Sequence, residues 1–147
     1  MNPVEKLQQE HRDIERELLE LEEIMQEKEI NYSNLIHVFK TLSFLWEHHE
    51  KKEERIFPIF KKEHIVIPVK TMLLDHGRLK PHREKIILAI NSGNNEKVKD
   101  CLEKDLKIII IELQKHINLE DEILYRIVLD EFTPEELAEL WEKTFEE

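Results

Sequence analysis

His48-His49-Glu50-Lys51-Lys52-Glu53-Glu54 sets two adjacent imidazoles one helical turn ahead of two adjacent carboxylates. His49 and Glu53 are four residues apart, so a helix carries both on one face. Reading outward, the same face collects Leu35, Val38, Leu42 and Leu45 before the pair and Ile56 and Phe60 after it. The stripe is unbroken at helical spacing, and its only polar members are this His and this Glu. An ionised Glu inside an apolar stripe is costly unless something pairs with it. A second copy of the arrangement, His116-Ile117-Asn118-Leu119-Glu120-Asp121, again follows a His with a carboxylate at i+4. Its stripe, Leu102, Leu106, Ile109, Leu113, His116, Glu120, Ile123, Ile127, repeats the grammar of the first. The echo points to pseudo-twofold symmetry.

Two further helical patterns bring one inward His each. The first opens at Asn2-Pro3-Val4-Glu5, with Asn2 as N-cap, Pro3 at the first helical position and Glu5 placed for a capping box. Its stripe is Leu7, Ile14, Leu18, Leu21 and Met25, and His11 falls in the gap. Asn31 to Asn34 read as a polar break, so the helix of His49 is predicted from about Leu35 to Phe60, with Pro58 kinking it or marking its last turn. A third helix is predicted from Pro68 to about Ile90 with the stripe Val69, Met72, His76, Leu79, Arg83, Ile86, Ile90. Pro81 predicts a kink one turn after His76, which could swing His82 inward. His48, His37 and His64 read as rim or surface residues. Asn91-Ser92-Gly93-Asn94-Asn95 is the clearest turn, and the helix of His116 follows it. Thr133-Pro134-Glu135-Glu136 then caps a short last helix, to about 146, bearing Leu137, Leu140, Trp141 and Phe145. That helix is expected to lie across the bundle or against the partner in a homodimer.

The bulk numbers agree with an all-α chain forming one domain over 1–147, a four-helix bundle over about 3–130 with a short extra C-terminal helix. Two glycines, five prolines and 37% charged residues in 147 are the palette of long helices. A formal charge of −11 argues against a nucleic-acid or anionic-membrane surface. No apolar run approaches a bilayer span, and the opening residues lack the basic-then-apolar order of a signal peptide. The single Cys101 excludes an intramolecular disulfide and fits a reducing, cytoplasmic setting. It reads as a small core residue beside its stripe.

Four inward histidines and two inward glutamates suit two metal ions held in a bundle. Iron and manganese accept mixed imidazole and carboxylate ligation, and a carboxylate can give one oxygen to each of two ions. Glu53 and Glu120 would then bridge, with His11, His49, His76 and His116 as terminal ligands. With an oxo or hydroxo bridge, each ion reaches about five ligands and a vacancy remains for O2, nitric oxide or peroxide. Ligation needs neutral imidazoles, so affinity should fall as pH drops through their range. The competing reading, a bundle whose core polar groups only hydrogen-bond one another, must satisfy six buried ionisable groups without a cation.

These residues resemble the hemerythrin-like (HHE cation-binding) family over about residues 3–130. The motifs are Glu10-His11, His49-x-x-x-Glu53-Glu54 followed by Ile56-Phe57-Pro58, Asp75-His76, and His116-Ile117-x-x-Glu120-Asp121 followed by Ile123-Leu124. The resemblance implies an up-down-up-down bundle around a non-haem di-iron centre with carboxylate bridges. Two departures stand out. The oxygen carriers of the family have a second His four residues after that of the third helix, where this chain has Lys80. By similarity to an iron-sensing eukaryotic member, Glu50 is the first candidate to replace it, and His82 the next. The carriers also take their fourth-helix carboxylate at i+5, here Asp121, whereas the wider family takes i+4, here Glu120. Helical phase favours Glu120. The departures weaken a reading as a reversible carrier. They leave binding or sensing of O2 or iron, handling of nitric oxide or peroxide, and iron delivery. The same centre could serve an oxidase or peroxidase with Trp46 or Tyr125 nearby, and a zinc-binding or metal-free interaction bundle is the remaining alternative.

Overall fold

A computed structural model describes residues 2–145. Those residues form an all-helical bundle. Helix α1 spans Pro3–Met25, α2 Tyr32–Ile56, α3 Val69–Ser92 and α4 Asn95–Leu119. A π-helical segment, Glu120–Leu124, continues α4 into α5, Tyr125–Glu131, and α6 spans Pro134–Phe145.

The caps follow the sequence closely. Asn2 Oδ1 accepts from the Glu5 amide at 2.9 Å and the Glu5 side chain accepts from the Asn2 amide at 3.3 Å, closing the predicted box. Thr133 and Glu136 close the same box on α6 at 3.0 and 3.1 Å. Gly93 takes the left-handed conformation, φ 69°, that ends α3. Asn94 caps α4 by accepting from the Glu96 and Lys97 amides.

Several boundaries differ from the sequence reading. Asn31 is the N-cap of α2, accepting from the Asn34 amide at 3.1 Å, so the polar stretch is the helix start and not a break before it. At the other end α2 stops at Ile56 and a 3-10 turn, Phe57–Ile59, carries Pro58. Helix α3 runs on through Pro81 without interruption. His82 is not swung into the centre; its Nδ1 lies 2.9 Å from Asp105 Oδ1. Cys101 is half-buried against the core.

Around the bundle α1 contacts α2, α2 contacts α3, α3 contacts α4, and α4 contacts α1, closing a ring. The core lies in two parts. One is built on Ile14, Leu18, Leu42, Trp46, Leu79, Ile86, Leu106 and Leu113. The other is built on Leu7, Ile56, Phe57, Met72, Leu124, Tyr125, Val128 and Leu137. Each inward His falls between them in its own helix: His11 between Leu7 and Ile14, His49 between Trp46 and Ile56, His76 between Met72 and Leu79, His116 between Leu113 and Leu124. A polar layer therefore divides the apolar core. Helix α6 closes the second part against α1 and α2 of its own chain. Lys6 lies over the Trp141 ring and Arg55 over the Phe145 ring, and Arg55 donates to the Thr144 carbonyl.

The π segment re-phases the end of the fourth stripe. Straight α-helical spacing predicts Ile123 and Ile127 inside, yet Ile123 is 42% exposed and Ile127 half-buried. Leu124, Tyr125 and Val128 are buried in their place. One extra residue in the π turn moves the inward positions along by one.

Candidate metal centre

The polar layer brings together all six residues singled out by the four stripes. His11, His49, Glu53, His76, His116 and Glu120 are each at most 4% exposed. The two carboxylates stand between two pairs of imidazoles. Glu53 Oε2 is 3.0 Å from His49 Nε2 and 3.5 Å from His11 Nε2, while its Oε1 is 3.1 Å from His76 Nε2. Glu120 Oε1 is 2.9 Å from His11 Nε2, while its Oε2 lies 3.0 Å from His116 Nε2 and 3.2 Å from His76 Nε2. Each carboxylate thus turns one oxygen to the His11–His49 side and the other to the His76–His116 side. Two ligand groups result, His11, His49, Glu53, Glu120 and Glu53, His76, His116, Glu120, each with its candidate ligand atoms within 4.8 Å of one another.

A second layer of acids surrounds the imidazoles, and each comes from the neighbouring helix. Glu10 of α1 faces His49 Nδ1 of α2 at 2.9 Å. Glu54 of α2 faces His76 Nδ1 of α3 at 3.8 Å. Asp75 of α3 faces His116 Nδ1 of α4 at 3.5 Å, and Asp121 of the π segment faces His11 Nδ1 of α1 at 2.7 Å. The hand-off goes once round the bundle. An ionised carboxylate only accepts, so where it lies within hydrogen-bond distance, at His11 and His49, it fixes the proton on Nδ1 and leaves Nε2 aimed at the centre. The sequence reading quoted these four acids within its motifs and gave none of them this role. The available signal was that each is adjacent in sequence to an inward residue.

Glu120 and Asp121 both reach the layer at the start of the π turn. At ideal α-helical phase, neighbouring residues diverge by about 100°. Here Glu120 is 1% exposed and central, and the Asp121 side chain, 15% exposed, bonds His11. Glu50 lines the same small cavity and is 5% exposed, but it belongs to neither four-residue group. With Glu54 and His76 it forms a third, more open group. Its Oε2 is 3.5 Å from Nη1 of Arg83, which is itself buried, 4.4 Å from the Trp46 ring and 3.6 Å from Glu47. Arg83 stood in the third stripe without an explanation, and the buried acid opposite supplies one.

Electrostatics show what the layer lacks. For His11, His49 and His76 burial, the largest influence on each, pushes the imidazole pKa down, but the facing carboxylates outweigh it. His11, bonded to Asp121, Glu120 and Glu53, is held well above the usual range, and His76 is pushed up to about 10. Burial likewise opposes ionisation of Glu53, and the charge of His49 with the close approach of three imidazoles holds its pKa well below the ordinary value. Protons on His11, His49 and His76 thus balance charge that a cation would balance. The balance is incomplete: Nε2 of His49 and of His116 lie 3.0 Å from carboxylate oxygens without a hydrogen bond to any partner. Nitrogen and oxygen atoms that crowd one point without bonding one another fit ligation of a shared cation. The donor set, imidazole plus carboxylate with no thiolate, suits iron or manganese.

A family model described as the hemerythrin HHE cation binding domain matches residues 2–128. The chain belongs to that family. No curated protein and no solved structure matches it. Among the described residues no helix is long and apolar enough to cross a membrane.

Proposed function

We propose that this chain is a di-iron-binding protein of the hemerythrin HHE family, in which two ions share Glu53 and Glu120 and bind or sense O2, a related diatomic or peroxide, or iron itself. The observation that carries the reading is the split of each carboxylate, one oxygen toward each imidazole pair. His11 and His49 would hold one ion, His76 and His116 the other, with an oxo or hydroxo bridge completing the pair. Glu50, which shares a more open group with His76, would serve as a further ligand to the second ion once it parts from Arg83. Bound iron would supply redox chemistry; the chain supplies a buried layer between two apolar clusters, carboxylates on Nδ1 of His11 and His49, and a hydroxyl, Tyr125, on Glu53.

The order in which each helix meets the two core clusters supports an up-down-up-down arrangement of α1 to α4. We read the chain as a single cytoplasmic domain whose ligand is a small molecule. A second reading, an oxidase or peroxidase, is favoured by Tyr125 on Glu53 and by Trp46 in the wall of the cavity. It predicts turnover with a reducing substrate.

The test is metal analysis of protein purified without a metal-affinity step, with absorption spectra before and after reduction. The expected result is about two irons per chain with a near-ultraviolet band that reduction removes. No iron uptake after anaerobic ferrous reconstitution, or one tightly held zinc, would overturn it.

A further inference from the structure

The two halves of the layer have the same residue types but not the same support. In the His11–His49 half both outer acids are within hydrogen-bond distance of Nδ1, at 2.7 and 2.9 Å. Each of those acids is clamped in turn by a cation, Asp121 by Arg12 and Glu10 by Lys52. In the His76–His116 half the acids stand off at 3.8 and 3.5 Å, and both Nδ1 atoms are buried without a hydrogen-bond partner. The Glu54 side chain is 50% exposed, and no Lys or Arg pairs with it among the described residues, while Asp75 has Arg78 Nε no closer than 3.7 Å. On this side too, Glu50, the further acid grouped with His76, is engaged by the buried Arg83 at 3.5 Å. Lys80, one turn after His76, offers no imidazole to compensate.

We propose that the two halves hold their cations unequally, the His11–His49 half as the retained site and the His76–His116 half as the exchangeable one. The inference rests on the two-cation reading above. A ring held by a carboxylate on Nδ1 keeps its tautomer and its aim, and its Nε2 is the more basic donor. A ring without that partner must be ordered by the cation itself, which lowers affinity and speeds release.

The test is release of ferrous iron from the anaerobically loaded chain into an excess of a colorimetric ferrous chelator. Two phases are expected, one at least about tenfold faster than the other. His76→Ala should remove the fast phase alone. Glu10→Gln and Asp121→Asn should each speed the slow phase about 10–100-fold, while Asp75→Asn leaves the slow phase as it is. Circular dichroism on each variant separates these effects from loss of fold, and the wild-type trace needs no variant. A single phase that releases both ions from the wild type, or a slow phase as sensitive to Asp75→Asn as to Asp121→Asn, would overturn the inequality. Failure to take up iron at all would instead overturn the two-cation reading. One ion, released slowly by the wild type and fast by Asp121→Asn, would support the assignment of halves and correct the count.

Discussion

Tyr125 donates its hydroxyl to Oε2 of Glu53, the oxygen that also faces His49 at 3.0 Å and His11 at 3.5 Å. Both residues are buried to within 1%. Burial and the neighbouring carboxylate charge raise the tyrosine pKa well above its ordinary value, so the group is a neutral donor throughout the working range. Tyr125→Phe keeps the ring, its contacts with Phe57 and His11, and removes one bond to a charged acceptor. We expect the metal-free chain to lose about 1.5–3 kcal/mol of unfolding free energy. Urea denaturation of metal-free protein measures it, and an unchanged midpoint would mean that the hydroxyl does not support Glu53.

The π turn gives the second prediction, and it marks where sequence periodicity ran out. Periodicity located His11, His49, Glu53, His76, His116 and Glu120, because an inward polar residue in an apolar stripe is visible at helical spacing. It could not see a helix that changes pitch, so it placed Ile123 and Ile127 where Leu124 and Val128 lie. Nor could it assign the outer acids, whose partners are on other helices, or pair Arg83 with Glu50. Caps were legible because they are local. Deleting Ile123 should restore α-helical phase: Leu124, Tyr125, Val128 and Phe132 each move up one position and stay inward, while Asp121 turns away from His11. The deletion variant is expected to fold with unchanged helical content and to bind iron about 10–100-fold more weakly. A chain that fails to fold, or one that binds iron as before, would show that the π turn serves something other than Asp121.

Arg83 and Glu50 form a buried pair without hydrogen-bond geometry, with side chains 3% and 7% exposed. Removing Arg83 leaves the Glu50 charge uncompensated, at a cost of about 3–5 kcal/mol. Arg83→Met should therefore destabilise the metal-free chain by roughly that amount, and Arg83→Met with Glu50→Gln should recover most of it. The two single variants and the double variant, melted without metal, give the coupling energy. Additive losses would show that the two side chains do not interact. Iron loading should also soften the single Arg83→Met loss, because a freed Glu50 can turn toward the cation beside His76.

The proton inventory of the layer sets the pH dependence. His76 has its folded pKa raised from 6.5 to about 10, so its contribution to stability is complete below 6.5 and fades as pH climbs through about 10. Glu53 is shifted the other way, so its contribution is present above the ordinary 4.5 and fades on acidification below it. The metal-free chain should then be most stable between about pH 4.5 and 6.5, where both contributions are present. Iron needs the same Nε2 atoms deprotonated, so binding expels protons and strengthens as pH rises. The dependence extends well beyond the ordinary imidazole range, because the carboxylates hold those protons tightly. Thermal melts of metal-free and iron-loaded protein between pH 6 and 9 should accordingly diverge, the free form losing stability and the gain from iron growing. A gain that stays flat or shrinks with pH would show that His11, His49 and His76 are not protonated in the metal-free state, and that the cation does not replace protons there.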